Sequence, residues 1–211
     1  MNRTLSPTSR RERTTRLVLD AVLLAVLLVL QLTPLGYIPI PGFNPTTMHI
    51  PVIIGAILLG PADGAFLGLA FGITSIIQAT VQLPLTAFLF SPFAPFGSYR
   101  SAIIAIVPRV MLGLVSAWVY RAVSRVDKTG VAAAATAAAA GSLTNTVLVL
   151  AGVFLLMRGD YAQQLKIPVA TVGKVLGGVV LTNGLAEAAL AAVLCTAVVR
   201  ALTAVHKRNR H

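Results

Sequence analysis

The chain has 211 residues, of which 56% are hydrophobic and only 11% are charged, and its mean hydropathy is +0.85. Soluble domains carry about 25% charged residues, so this composition excludes an ordinary soluble protein and indicates one polytopic membrane unit. The net charge of +11 could suit nucleic acid, but the basic residues lie at the chain ends and in one loop, and we expect no nucleic-acid partner. The single cysteine, Cys195, excludes an internal disulfide.

Six apolar segments follow one another along the chain and predict an all-α membrane protein with six transmembrane helices in a lipid bilayer. The second segment is short, which suits a tilted or partly re-entrant helix. Proline and glycine in the connections separate the segments. The predicted segments are residues 17–33, 48–60, 64–81, 101–124, 131–157 and 171–204.

The first segment has the basic flank and apolar stretch of a signal peptide, but no small-x-small cleavage site follows it. We therefore interpret it as an uncleaved first transmembrane helix. The predicted domains are a basic cytoplasmic N-terminal tail (1–16), a six-helix transmembrane domain (17–204) and a basic cytoplasmic C-terminal tail (205–211).

The distribution of lysine and arginine predicts that both termini are cytoplasmic. If the N-terminus lies inside and six helices alternate, twelve basic residues fall on the cytoplasmic side and three on the external side, as the positive-inside rule requires. The cytoplasmic set is Arg3, Arg10, Arg11, Arg13, Arg16, Arg121, Arg125, Lys128, Arg200, Lys207, Arg208 and Arg210. The external set is Arg100, Arg158 and Lys166.

Four polar residues lie deep within the later apolar segments: Arg109, Asn145, Asn183 and Glu187. A charge at the centre of a bilayer costs about 3 kcal/mol on insertion scales, so such groups normally face a protein interior and mark a ligand or ion pathway. At 1.5 Å per residue, Arg109, Asn145 and Asn183 all lie roughly 12–18 Å below the outer surface. Glu187 lies one helical turn from Asn183.

Other polar groups are predicted close to the same layer. Thr74 and Gln78 form an i, i+4 pair near the outer end of the third segment, and His49 begins the second segment. The common depth predicts a cavity that opens to the outside. The external connections 34–47 and 82–100 are long and rich in proline and aromatic residues, so we expect them to cover this cavity.

Helix packing offers a second interpretation of the same groups. Arg109 could pair with Glu187, and Asn145 with Asn183, through interhelical hydrogen bonds worth under about 2 kcal/mol each. If Arg109 faces a ligand instead, it suits a carboxylate, because the planar guanidinium can bond both carboxylate oxygens. The neighbouring amides would suit hydroxyl and amide groups of the same ligand. If Glu187 already neutralises Arg109, the ligand need not be an anion.

Small residues recur at helical spacing in the first and third segments. Gly64, Gly68 and Gly72 form a double small-xxx-small repeat, which predicts close packing against another helix. Ala21 and Ala25 form a shorter repeat in the first segment. That pair could pack inside the protein or dock a helix of a partner.

The sequence carries no P-loop, no His-Glu-x-x-His and no Gly-x-Ser-x-Gly motif, so we expect no catalytic residue, metal or cofactor. It also lacks duplicated halves, which disfavours a self-contained secondary transporter. Two alternatives from other classes stay open: a small integral membrane enzyme that uses Glu187 and His49 as acid and base, and a non-transporting structural subunit.

Several blocks of sequence resemble the substrate-binding S components of energy-coupling factor (ECF) vitamin transporters, and most of all the pantothenate-type members. The resemblance covers about residues 17–204. The matching blocks are MHIPVIIGA (48–56), LGPADGAFLG (59–68), FGITS (71–75), FSPF (90–93), VPRVMLG (107–113), GSLTNT (141–146) and NGLAEA (183–188).

The resemblance implies a six-helix substrate-binding domain in the bacterial plasma membrane, with both termini inside. It implies vitamin contacts at Arg109, Asn145 and Asn183, with Thr74 or Ser75 on the third helix and Glu187 as further candidates. Ala21 and Ala25 stand where the family docks a transmembrane coupling subunit (the T component), and two ATPase subunits would supply the energy. The vitamin would be captured outside and released inside as the S component topples. S components bind different ligands, so another vitamin or a queuosine precursor remains an alternative to pantothenate.

Overall fold

The computed structural model describes residues 7–33, 36, 46–127 and 129–208. Within these ranges the protein is built from helices and turns with no β-sheet, which confirms the predicted all-α class. Two 3₁₀ turns (Ala87–Leu89 and Val169–Thr171) and a π-helical turn (Val180–Gly184) accompany the α-helices. The α-helices are α1 (Pro7–Leu32), α2 (His49–Leu58), α3 (Pro61–Gln82), α4 (Tyr99–Val123), α5 (Val131–Leu156), α6 (Arg158–Leu165), α7 (Val172–Val179) and α8 (Leu185–Arg208).

Among the described residues, five helical stretches are long and apolar enough to cross a membrane, which confirms an integral membrane protein. A helix needs about 20 apolar residues to span the hydrocarbon core. The five stretches are Arg13–Leu32, Pro61–Gln82, Tyr99–Val123, Val131–Leu156 and Val169–Ala201. The predicted second segment forms only the ten-residue helix α2, and helix α1 begins at Pro7, inside the predicted tail.

Helix α2 lies at the centre of the bundle. Its residues from His49 to Ile57 are all buried, and it contacts α1, α3, α4, α5 and α8. Ten residues rise only about 15 Å, so α2 extends through part of the molecule. It ends at a tight turn in which Gly60 has φ +112°, a conformation that favours glycine, and Pro61 begins α3.

Helices α3 and α4 pack backbone to backbone through the predicted glycine repeat. A methyl group on Gly68 would overlap the Arg109 carbonyl oxygen, and one on Gly72 would lie 2.9 Å from the Ala105 carbonyl oxygen. Gly64 meets Gly113 in the same way. The repeat is therefore an internal packing face, as predicted, and it brings the α4 backbone at Arg109 against α3.

Helix α1 lies at the edge of the bundle, where only 11% of its membrane window is buried. At one end, the Arg16 guanidinium pairs with Asp63 of α3, with Nε 3.0 Å from Oδ1. At the other end, the Gln31 amide donates to Gln78 of α3, and Gln78 Nε2 donates to the Gln31 carbonyl at 3.3 Å. Between them, Ala21 and Ala25 are exposed.

Candidate ligand-binding cavity

A cavity of about 600 Å³ lies between α3, α4, α5, α6 and the α7–π–α8 helix. This volume is typical of a site for a small organic molecule. Apolar side chains make most of the wall, and the polar lining residues are Thr46, Ser75, Gln78, Gln82, Thr86, Arg109, Asn145, Thr146, Tyr161, Asn183 and Glu187. The four polar residues predicted to share one depth, Arg109, Asn145, Asn183 and Glu187, thus come together in one cavity.

Arg109 is 7% exposed, and its guanidinium is surrounded by protein groups. Its carbon lies 5.4 Å from the centroid of the Phe71 ring and 5.0 Å from that of Phe90, within range of cation–π attraction. Its Nη1 donates to the backbone carbonyl of Ile104 at 2.8 Å. These contacts hold a positive charge at the wall of a cavity with few other charges.

Glu187 is also buried, at 8% exposed, but its carboxylate is held by groups other than Arg109. One oxygen accepts from the Thr46 backbone N–H at 2.9 Å, and the other accepts from the Thr146 hydroxyl at 3.3 Å. Among the described residues, the one ion pair within 4.0 Å joins Arg16 to Asp63. Arg109 and Glu187 therefore share the cavity without a direct ion pair, unlike the packing interpretation.

Thr46 precedes α2, so the Glu187 carboxylate lies near the N-terminal end of that helix, where the helix dipole favours a negative charge. His49 begins α2 and is 1% exposed. Glu187 thus links the entry to α2 with α5 and α8.

Asn145 and Asn183 contribute amides from α5 and from the π turn. The side-chain oxygen of Asn145 is buried and accepts no hydrogen bond from the described residues. Buried polar atoms nearly always have a partner, so this oxygen suits a ligand donor. Asn183 lies in the π turn Val180–Gly184, and π turns often occur at functional sites.

Thr74 lies outside the cavity. Its hydroxyl donates to the Phe71 carbonyl at 3.0 Å, and its own carbonyl accepts from the Gln31 amide at 3.5 Å. It lines a separate apolar groove of about 210 Å³ between α1 and α3. The next residue, Ser75, lines the main cavity, because a step of one residue turns a helix by about 100°.

The connection between α3 and α4 covers part of the cavity. Phe90 and Leu89 line it, together with Pro84 and Thr86. The Ser91 hydroxyl lies 2.6 Å from that of Thr80 on α3, and the Ser101 hydroxyl of α4 donates to the Phe88 carbonyl at 2.5 Å. This connection is therefore fastened to both helices. The other expected cover, 34–47, lies mostly outside the described residues, although its Thr46 reaches the cavity.

Several lining residues were not among the predicted site residues. Thr146 could have been predicted because it is the chain neighbour of Asn145. Phe71 and Phe90 could have been predicted because they lie within the blocks that resemble the family. Tyr161 gave no such signal, because it lies on the short helix α6 in a segment predicted as a loop. Burial raises the pKa of Tyr161, so its phenol stays neutral and can donate a hydrogen bond.

Comparison with known proteins adds independent evidence. The family described as the ECF transporter, substrate-specific component, matches residues 15–199. The chain is 38% identical over 201 residues to the pantothenic acid transporter PanT of Lactococcus lactis subsp. cremoris, covering 92% of this chain and 96% of that protein. It is 34% identical over 110 residues to the pantothenate transporter PanT of Leuconostoc mesenteroides, covering 49% of each chain.

The matched region spans α1 to α8 and includes every residue that lines the cavity. Both similar proteins are named as transporters of pantothenate. The chain therefore belongs to the family of substrate-specific components of ECF transporters.

Proposed function

We propose that the chain captures pantothenate on the outer side of the bacterial membrane and delivers it to the cytoplasm. The observation that carries the proposal is one guanidinium, Arg109, and two amides, Asn145 and Asn183, in one cavity of about 600 Å³. Pantothenate has a carboxylate, an amide and two hydroxyls, which such a wall can match. The likeness to proteins named as pantothenate transporters supports the same substrate.

In this proposal Arg109 pairs with the ligand carboxylate, since a guanidinium can donate two parallel hydrogen bonds to one carboxylate. Asn145 and Asn183 bond the hydroxyl and amide groups. Glu187 acts by holding Thr46 and Thr146 in place rather than by neutralising Arg109. On α3, Ser75 rather than Thr74 lies within reach of a ligand.

Binding measurements on the purified protein test the substrate. We expect pantothenate to raise the melting temperature by mass action. Arg109→Ala should weaken binding by about 10- to 100-fold, because hydrogen bonds to charged groups contribute about 1.5–3 kcal/mol. Arg100→Ala is the matched control, since Arg100 also lies on α4 but donates to the Leu156 carbonyl outside the cavity, at 3.0 Å.

The outcomes separate the alternatives. If Arg109→Ala binds pantothenate as tightly as the wild type, the proposed recognition is wrong. If a different vitamin or a queuosine precursor raises the melting temperature while pantothenate does not, the substrate is wrong and the family role stands. Recovery of chemically unchanged ligand after long incubation argues against the enzyme that would use Glu187 and His49.

We further propose that Ala21 and Ala25 dock the transmembrane coupling subunit, which two ATPase subunits would drive. Both alanines are exposed on the helix that the bundle covers least. Ala21→Leu with Ala25→Leu should reduce copurification with the coupling subunit and leave pantothenate affinity unchanged. Val193→Leu, at an exposed position on α8, is the control. Undiminished copurification would contradict this docking face.

We also propose that the chain crosses the membrane six times and that both termini are cytoplasmic. The proposed domains are an N-terminal tail (1–16), a transmembrane domain (17–204) and a C-terminal tail (205–211). Arg16 pairs with Asp63 at the start of α3, and the Arg121 guanidinium lies beside Gly60, so these predicted cytoplasmic positions share one end. In a Cys195→Ser background, an impermeant maleimide should label Asp160→Cys in intact cells and leave Asp127→Cys unlabelled. The reverse pattern would contradict the orientation.

A further inference from the structure

Helix α4 contains a proline in its interior, directly before Arg109. Pro108 is buried within Tyr99–Val123. Proline has no backbone N–H, so the carbonyl four residues earlier, that of Ile104, loses its helical donor. A carbonyl without a donor in an apolar interior costs free energy, and in membrane helices another group normally takes its place.

Arg109 supplies that donor. Its Nη1 donates to the Ile104 carbonyl at 2.8 Å in a buried position, and Ile104 itself is 1% exposed. Side chains on a helix lean toward its N-terminus, so the guanidinium of residue 109 reaches back along α4 to the carbonyl that Pro108 releases. The same guanidinium lies over the Phe71 and Phe90 rings, which bound it from other directions.

We propose that Pro108 is a positioning residue that sets the guanidinium of Arg109 for a ligand carboxylate. Proline exposes the Ile104 carbonyl, and that carbonyl anchors one arm of the guanidinium at the cavity wall. A non-proline residue at 108 would direct its own N–H to the Ile104 carbonyl and compete with the guanidinium for it, so the anchor weakens. The inference rests on the proposed function, because it concerns how Arg109 meets the carboxylate.

The experiment compares two ligands on the purified full-length protein: pantothenate and its primary-alcohol analogue, in which CH₂OH replaces the carboxylate. Pro108→Ala should weaken pantothenate binding about tenfold, equivalent to about 1.4 kcal/mol, while the affinity for the alcohol changes less than about twofold. The alcohol carries no charge for Arg109 to pair with. Damage to the fold would lower both affinities alike, so the ratio of the two reports on positioning.

Four further variants make the result decisive: Arg109→Met alone, Arg109→Met with Pro108→Ala, Pro108→Gly and Pro61→Ala. Adding Pro108→Ala to Arg109→Met should weaken pantothenate binding no further than Arg109→Met alone, because Pro108 acts through Arg109. Pro108→Gly returns the N–H without a side chain and should behave as Pro108→Ala does, with melting curves to establish folding. Pro61→Ala is the control, since a proline at the first position of α3 releases no helical carbonyl.

Two results would overturn the inference. In one, Pro108→Ala leaves the ratio of the two affinities unchanged; in the other, the losses of pantothenate affinity from Pro108→Ala and Arg109→Met add in the double variant. The proposed function fails separately. If the wild type does not bind pantothenate, both are wrong. If Arg109→Met weakens pantothenate binding while the Pro108 variants do not, only the role of Pro108 is wrong.

Discussion

The two halves of the α3–α4 pair differ in how they are packed. In the glycine half, residues 61–72 of α3 lie against residues 105–113 of α4 with backbones in contact, at Gly64, Gly68 and Gly72. In the cavity half, residues 75–82 of α3 face the 600 Å³ space through Ser75, Gln78, Ala79 and Gln82. One pair of helices thus changes from close packing to an open wall within a few turns.

Arg109 stands at the boundary between these halves. Its backbone carbonyl lies against Gly68, whereas its side chain lines the cavity. The close-packed half therefore holds the backbone from which the guanidinium extends. Preorganised recognition needs side chains held on rigid elements, and here glycine packing provides the rigidity. We therefore expect substitutions in the glycine half to lower stability most, and substitutions at the cavity to affect ligand binding.

The largest expected effect is that of Gly68→Ala. The added methyl group would overlap the Arg109 carbonyl oxygen, so the helices must separate, at a cost of about 3 kcal/mol in the free energy of unfolding. We expect a lower melting temperature together with weaker pantothenate binding, because the Arg109 backbone moves. The control is Gly178→Ala on α7, where nothing lies within 4 Å of the added carbon. Equal melting temperatures for Gly68→Ala and Gly178→Ala would show that close packing at Gly68 does not stabilise the helix pair.

The next effect is that of Glu187→Ala on α8, which lines the same cavity from outside the α3–α4 pair. It leaves the Thr46 backbone N–H without its carboxylate acceptor, and we expect the free energy of unfolding to fall by about 2 kcal/mol. Glu187→Gln keeps a side-chain oxygen and should restore most of this loss in denaturation experiments. If glutamine is as harmful as alanine, the charge itself matters, and the interpretation of Glu187 as a hydrogen-bonding link is wrong.

Asn145→Leu should weaken ligand binding without lowering the stability of the protein. The Asn145 side-chain oxygen accepts no hydrogen bond from the described residues, so a leucine of similar size removes a buried polar group. We expect an unchanged or higher melting temperature and about tenfold weaker pantothenate binding, from the loss of about 1 kcal/mol or slightly more. Thr144→Val is the control, because the Thr144 hydroxyl donates to the Ala140 carbonyl at 2.7 Å and does not line the cavity. If Asn145→Leu binds pantothenate as tightly as the wild type, Asn145 does not contact the ligand.

The smallest effect concerns the turn between α4 and α5, away from both halves. Hydrogen bonds from the Thr129 hydroxyl and the Ala133 and Thr129 backbone N–H groups lower the pKa of Asp127 to about 2. Because the folded pKa is below the unfolded value of about 3.9, the charged carboxylate stabilises the fold above about pH 4, and this contribution is lost as the pH falls toward 2. In Asp127→Asn, the melting temperature should fall less between about pH 4 and about pH 2 than it does in the wild type. An equal fall in the two proteins would contradict the stabilising role of the Asp127 carboxylate.

Much of the fold could be predicted from local chemistry. Long apolar runs separated by proline and glycine specify membrane helices because a lipid environment requires internal hydrogen bonding of the backbone. The glycine repeat specified a packing face for the same local reason. Arg109, Asn145, Asn183 and Glu187 were noticed because polar groups at that depth are costly, and the structure places all four in one cavity.

Other features depended on which surfaces meet. Thr74 and Ser75 both looked suitable, and only the orientation of α3 decides that Ser75 faces the cavity while Thr74 faces α1. Helix α6 was predicted as a loop, because its eight residues carry little apolar periodicity, yet it brings Tyr161 to the cavity. The π turn at Asn183 had no local signal.

The sequence by itself determined a helical membrane protein with a polar layer, because burial in lipid penalises each polar group separately. Its resemblance to the ECF substrate-binding family came from matching blocks of residues. Only the tertiary structure decided how those groups are paired. Arg109 and Glu187 have opposite charges and could have formed an ion pair, but Thr46 and Thr146 hold the carboxylate, and the Ile104 carbonyl holds the guanidinium. Such choices depend on distances between helices, which the order of residues along each helix does not contain.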